Sequence, residues 1–84
     1  MKQDLNSIRD KVKDYILQSA YGSEHEIQDN TLIFKNGYFD SMGFVMLISF
    51  IDEHLGIKVV DDELIEENFE SINAITAFVT RKTN

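Results

Sequence analysis

The residues best placed for chemistry are Asp40-Ser41-Met42, which sit inside Gly37-Tyr38-Phe39-Asp40-Ser41-Met42-Gly43-Phe44. A short polar step leads directly into a run dense in apolar residues that continues to Ile51. Asp and Ser favour helix N-termini because their oxygens accept hydrogen bonds from backbone N–H groups that have no intrahelical partner. The spacing therefore puts the Ser41 hydroxyl at the positive end of a helix. A phosphate attached to that hydroxyl would meet unpaired N–H groups and a favourable dipole. Capping alone is also an adequate account of Asp40 and Ser41.

Other reactive combinations are missing. The chain has no cysteine, which excludes a disulfide, a thiolate zinc site and a thiol nucleophile of its own. Its two histidines are His25, between Glu24 and Glu26, and His54, near the end of the apolar run. A metal site needs more than one isolated histidine, so His25 reads as an ordinary loop residue. His54 complements a helix dipole. A serine nucleophile needs a neighbouring base and an oxyanion site, and neither histidine stands in a recognisable arrangement with Ser41. There is no glycine-rich phosphate loop. Asp61-Asp62-Glu63 lacks the alternating oxygen ligands and central glycine of a calcium loop. The expectation is a chain with no metal site that is not an enzyme, with Ser41 the substrate of some other enzyme.

Four helices have to position this serine. Leu5, Ile8, Val12, Tyr15 and Ile16 recur at spacings of three and four, one apolar stripe on a helix from about Asp4 to Gln18 that stops before Gly22. Residues 21–39 show no sustained period and are rich in turn formers. So long a loop must be packed down by its own side chains, and Leu32 and Phe34 are expected to pin it to the core. The second helix runs from Ser41 to Leu55 and stops at Gly56. Steps of about 100° per residue put Phe44, Leu47, Ile48, Ile51 and Leu55 on its core face. Met42, Met46, Ser49 and Glu53 share a separate arc, where the adaptable methionines suit either a docking stripe or packing against the long loop. Ile57-Lys58-Val59-Val60 reads as an extended connection with alternate residues buried. Asp61-Asp62-Glu63 opens a short helix whose apolar side is Leu64 and Ile65, and Asn68-Phe69-Glu70 breaks it. Ser71 caps a last helix with Ile72, Ile75, Phe78 and Val79 buried, and Arg81 and Lys82 suit its C-terminal end.

Composition agrees with one small all-α domain spanning residues 1–84. Apolar residues are 43% of the 84, enough for a core and too many for a disordered chain. The net charge of −7 argues against nucleic acid and anionic membranes, and for a basic protein partner. Residues 1–10 are charged and polar, unlike a signal peptide, and no apolar run is long enough to span a bilayer. The expected location is the cytosol and the expected state a monomer.

Together these features resemble the acyl carrier proteins, the phosphopantetheine-binding four-helix family, over nearly the whole chain. The family's attachment motif is Asp-Ser and an apolar residue, preceded by Gly and two mostly apolar residues, here Gly37-Tyr38-Phe39-Asp40-Ser41-Met42. Leu32 matches an apolar loop position, Leu55 to Glu63 match the end of the second helix and the extended segment into acids, and Ser71 matches the opening of the final helix. The resemblance implies an acyl-carrier-type bundle of three longer helices and one short one. It implies that a phosphopantetheinyl transferase attaches 4′-phosphopantetheine from coenzyme A to Ser41, with Asp40 helping the transferase engage. The arm's thiol would carry an acyl or aminoacyl group as a thioester for a loading ligase and downstream acyl-processing enzymes. Asp40, Met42, Met46 and Glu53 would be the partner-binding residues. Gly43 and Met46 stand where fatty-acid carriers often have acids, which points to a specialised stand-alone carrier. The competing reading is an acidic helical interaction module that is never modified.

Overall fold

The computed structural model describes residues 5–20 and 27–83, with Leu5 described in its backbone only. α1 (Leu5–Ser19) and α2 (Ser41–Leu55) are the two longest helices. A single 3₁₀ turn (Asp61–Glu63), a four-residue α3 (Glu66–Phe69) and α4 (Ile72–Thr83) complete an all-α domain, with no strand among the described residues.

Each long helix buries the stripe that its spacing predicts. Ile8, Val12 and Ile16 of α1 are fully buried, while Tyr15 is half-buried on the core's edge. On α2 the buried residues are Leu47, Ile51 and Leu55, with Phe44 and Ile48 partly buried beside them. Ile72, Ile75, Phe78 and Val79 of α4 are all buried. α2 ends at Gly56, whose φ of +69° is the left-handed conformation that glycine adopts without Cβ strain. Ser71 Oγ accepts the Ala74 N–H at 3.1 Å and so caps α4. Beyond Gly56, Ile57 is buried and Val59 half-buried while Lys58 and Val60 are exposed, an alternation typical of an extended segment.

Three expectations need correction. The most buried residue pinning the long loop is Ile33, fully buried, with Phe34 partly buried against the core beside it, while Leu32 is only half-buried. The Ile33 amide donates to the Glu70 carbonyl at 2.9 Å, and Asn73 N–H donates to the Asp29 carbonyl at 2.9 Å. The loop is thus stapled to the α3–α4 junction by backbone bonds that no side-chain pattern encodes. Asp61–Glu63 forms only one 3₁₀ turn, and Leu64 and Ile65 are 41% and 47% exposed rather than packed. The short helix comes afterwards, and Phe69, expected to break it, is its buried anchor. Asp4, Gly22 and His25, like the side chain of Leu5, lie outside the described residues.

Candidate functional site

Ser41 is the first residue of α2 and is exposed. Asp40 is the N-cap: its Oδ1 accepts the Gly43 N–H at 2.9 Å, and its carbonyl accepts the Phe44 N–H at 2.9 Å. The division of labour is therefore definite. Asp40 caps, and the Ser41 hydroxyl is left projecting beside the first-turn amides of Ser41 and Met42, which have no acceptor within the helix.

The approach to this serine is rigidly built. Gly37 turns the chain at φ +82°. The Ile33 carbonyl then accepts both the Tyr38 and Phe39 N–H groups at 3.0 Å. Phe39 is 4% exposed, and its ring lies under Gly43, where a Cβ would stand 2.8 Å from Phe39 Cδ2. Phe34 meets Phe39 and Phe44 edge-on, with ring centroids 6.1 and 5.7 Å away. Phe39 and Phe44 occupy the N′ and N4 positions where an apolar pair fixes the entry of a chain into a helix. Here Phe34 bridges them. The spacing of Phe39 and Phe44 around Asp40 carries that signal in the sequence.

Around Ser41 the surface is apolar. Met42, Val45 and Met46 are 64%, 59% and 55% exposed on α2. The two methionines and Glu53 are exposed on the arc expected from helical spacing. Asp40, Ser41 and Met42 come together at the helix start, whereas Glu53 lies twelve residues further along the same helix, about 18 Å away at 1.5 Å per residue. Two hollows flank the site. One, of about 520 Å³, lies between α2 and the Leu64–Glu66 segment and is bordered by Ser41, Phe34, Phe44, Val45, Leu64 and Glu66. The other opens between α1 and α2 beside Met42 and Gly43. Val45, Leu64 and Glu66 are site residues that the motif did not indicate.

The segment that closes the first hollow is held from behind. Lys82 Nζ donates to both carboxylate oxygens of Glu63 at 2.9 Å. Glu63 Oε1 also accepts the Val60 N–H at 3.0 Å. Hydrogen bonding from Lys82, then from the Val60 amide, holds the Glu63 carboxyl below the usual glutamate range. Asn68 Nδ2 donates to the Glu63 carbonyl at 2.9 Å and its Oδ1 accepts from Arg81 at 3.3 Å, tying the turn to α3 and α4.

Among the described residues no group of three or more His, Cys, Asp or Glu side chains is arranged to hold a metal ion. No described helix is long and apolar enough to cross a membrane. No protein-family model matches the chain, and comparison with curated proteins finds no match.

Proposed function

We propose that this chain is a carrier protein of acyl-carrier type, bearing acyl or aminoacyl groups on a phosphopantetheine arm at Ser41. The observation that carries the reading is the Ser41 hydroxyl itself. It is exposed at the first position of a fifteen-residue helix whose cap is supplied by its neighbour, Asp40. A serine needed as the cap would be occupied; this one is free to be modified.

The site fits the group. The first turn of α2 offers amides and a positive dipole end to a phosphodiester. On attachment the Ser41 Oγ–H bond breaks and an Oγ–P bond forms, while the pyrophosphate P–O bond of coenzyme A breaks. Adenosine 3′,5′-bisphosphate leaves, and the proton passes to the transferase. Once attached, the arm supplies a thiol that holds the cargo as a thioester. What the protein's own residues contribute is placement: Asp40 fixes the helix start, and Phe39 under Gly43 fixes the chain leading to it. Met42, Met46 and Glu53 offer the ligase and downstream enzymes an apolar surface with an acidic border, suited to a partner with an apolar centre and basic rim. The low acid content of early α2 favours a specialised stand-alone carrier, and the cytosol is the compartment proposed for it.

Incubation with coenzyme A and a promiscuous phosphopantetheinyl transferase tests the reading. Intact mass should rise by one phosphopantetheine in the wild type and not in Ser41→Ala. An unchanged wild-type mass would instead favour the unmodified interaction module.

A further inference from the structure

The hollow beside Met42 and Gly43 does not end there. It holds about 170 Å³ and is bordered by Tyr15 and Met46. The same two residues border a larger groove of about 670 Å³, which continues along the α1–α2 seam to Glu53 and His54. Sharing Tyr15 and Met46, the two run along one furrow whose near end is at Met42, the residue after Ser41. Its floor is apolar: Tyr15 stacks on Phe50 with ring centroids 4.2 Å apart, and Phe50 on His54 at 5.4 Å. From Ser41 to Phe50 is nine residues of helix, about 13 Å at 1.5 Å per residue. A phosphopantetheine arm, thirteen bonds from phosphorus to sulfur, is long enough to cover that distance.

Charge separates this furrow from the hollow on the other side of Ser41. That hollow is closer to the serine, but the carboxylate of Glu66 borders it, whereas the Asp40 carboxylate, capping Gly43, adjoins Ser41 whichever way the arm runs. A phosphodiester on Ser41 is itself an anion, and like charges at close range repel. The near end of the furrow is bordered by the hydroxyls of Ser19 and Tyr38 and by no carboxylate. Within the furrow, carboxylates border only the larger groove, where Asp14 and Glu53 stand against the single ammonium of Lys11. The larger groove thus sets an apolar floor beside a net negative rim, which matches a cargo with an apolar body and a cationic group.

Resting on the carrier reading, we infer that the α1–α2 furrow seats the loaded arm, and that it suits an aminoacyl cargo with an apolar side chain. A saturated acyl chain gains less there, because the groove is open and its rim is polar. The test compares protein loaded at Ser41 from phenylalanyl- and octanoyl-coenzyme A, with intact mass confirming each addition. Backbone amide NMR shifts are then read against the unloaded protein. Phenylalanyl loading should move Tyr15, Met46 and Phe50, and move them further than octanoyl loading does. Ser49→Trp, which fills the exposed groove wall without touching Ser41, should still accept the arm but lose most of those shifts. Larger shifts at Phe44, Val45 and Leu64 would place the cargo in the other hollow and overturn the inference. So would loading with no shift beyond the first turn of α2. Octanoyl shifts in the furrow equal to the phenylalanyl ones would overturn the cargo class. Failure of both additions would instead overturn the carrier reading, and this inference with it.

Discussion

Gly43 rests on the ring of Phe39: a Cβ there would stand 2.8 Å from Cδ2, closer than real Cβ atoms approach. Two effects compete in Gly43→Ala. Alanine is the better helix residue by about 1 kcal/mol. Against it, the Phe39 ring is buried and cannot swing into solvent, and overpacking costs about 1–3 kcal/mol. The clash should win, lowering the urea midpoint of Gly43→Ala. Phe39→Leu should recover part of the loss in the double variant. A raised midpoint in the single variant would mean that the ring relaxes freely.

This contact also shows where sequence reading reaches its limit. Periodicity located α1, α2 and α4, because each buries one stripe and the stripe is written in single residues: Val12, Ile51 and Val79 had no competing role. Asp40 and Ser41 were legible because caps are local chemistry. Ile33 and Phe69 were not. Ile33 is selected over Leu32 and Phe34 by a backbone bond to Glu70, 37 positions away in the chain. Phe69 anchors a helix too short to show a period, and acidic residues upstream mimicked its start. Val45 and Leu64 border the same hollow as Ser41 from distant parts of the chain, and the turn before Leu64 is tied down at Glu63 by Lys82 and Asn68.

That tie gives an acid-limb prediction. The folded Glu63 carboxyl titrates below its unfolded value, chiefly through its hydrogen bond from Lys82. A depressed carboxyl contributes stability above the unfolded value, ordinarily about 4.3 for glutamate, and loses it as pH falls through the folded value. The stability difference between wild type and Glu63→Gln should therefore be largest near neutrality and shrink toward zero in strong acid. Urea melts of both proteins across that range would show it. A difference that stays constant with pH would mean that the carboxylate charge is not what holds the turn.

Asp40 separates capping from charge. Asp40→Ala removes the acceptor for the Gly43 amide and should cost about 1 kcal/mol. Asp40→Asn keeps an equally good cap and should melt close to wild type. If the carboxylate also helps a transferase engage, loading of Ser41 should slow in both variants although only one is destabilised. Equal loading of Asp40→Asn and wild type would restrict Asp40 to capping.

The last prediction sets two adjacent residues against each other. Met46 is 55% exposed and Leu47 is fully buried, so one step along α2 crosses from surface to core. Met46→Glu places a charge in solvent and should leave the helical circular dichroism and the cooperative melt intact. Leu47→Glu buries a carboxylate with no partner, a cost of several kcal/mol for a marginally stable domain, and should unfold it. Met46 stands one turn beyond Met42, on the face that, under the proposed carrier function, a ligase would cover to reach the arm. On a chain already carrying a net charge of −7, a further acid there removes an apolar contact. Loading by the cognate ligase should therefore slow, while addition of the arm by a promiscuous transferase proceeds. Folded Met46→Glu protein that loads at the wild-type rate would remove this residue from the docking surface, leaving Met42 and Val45 to form it.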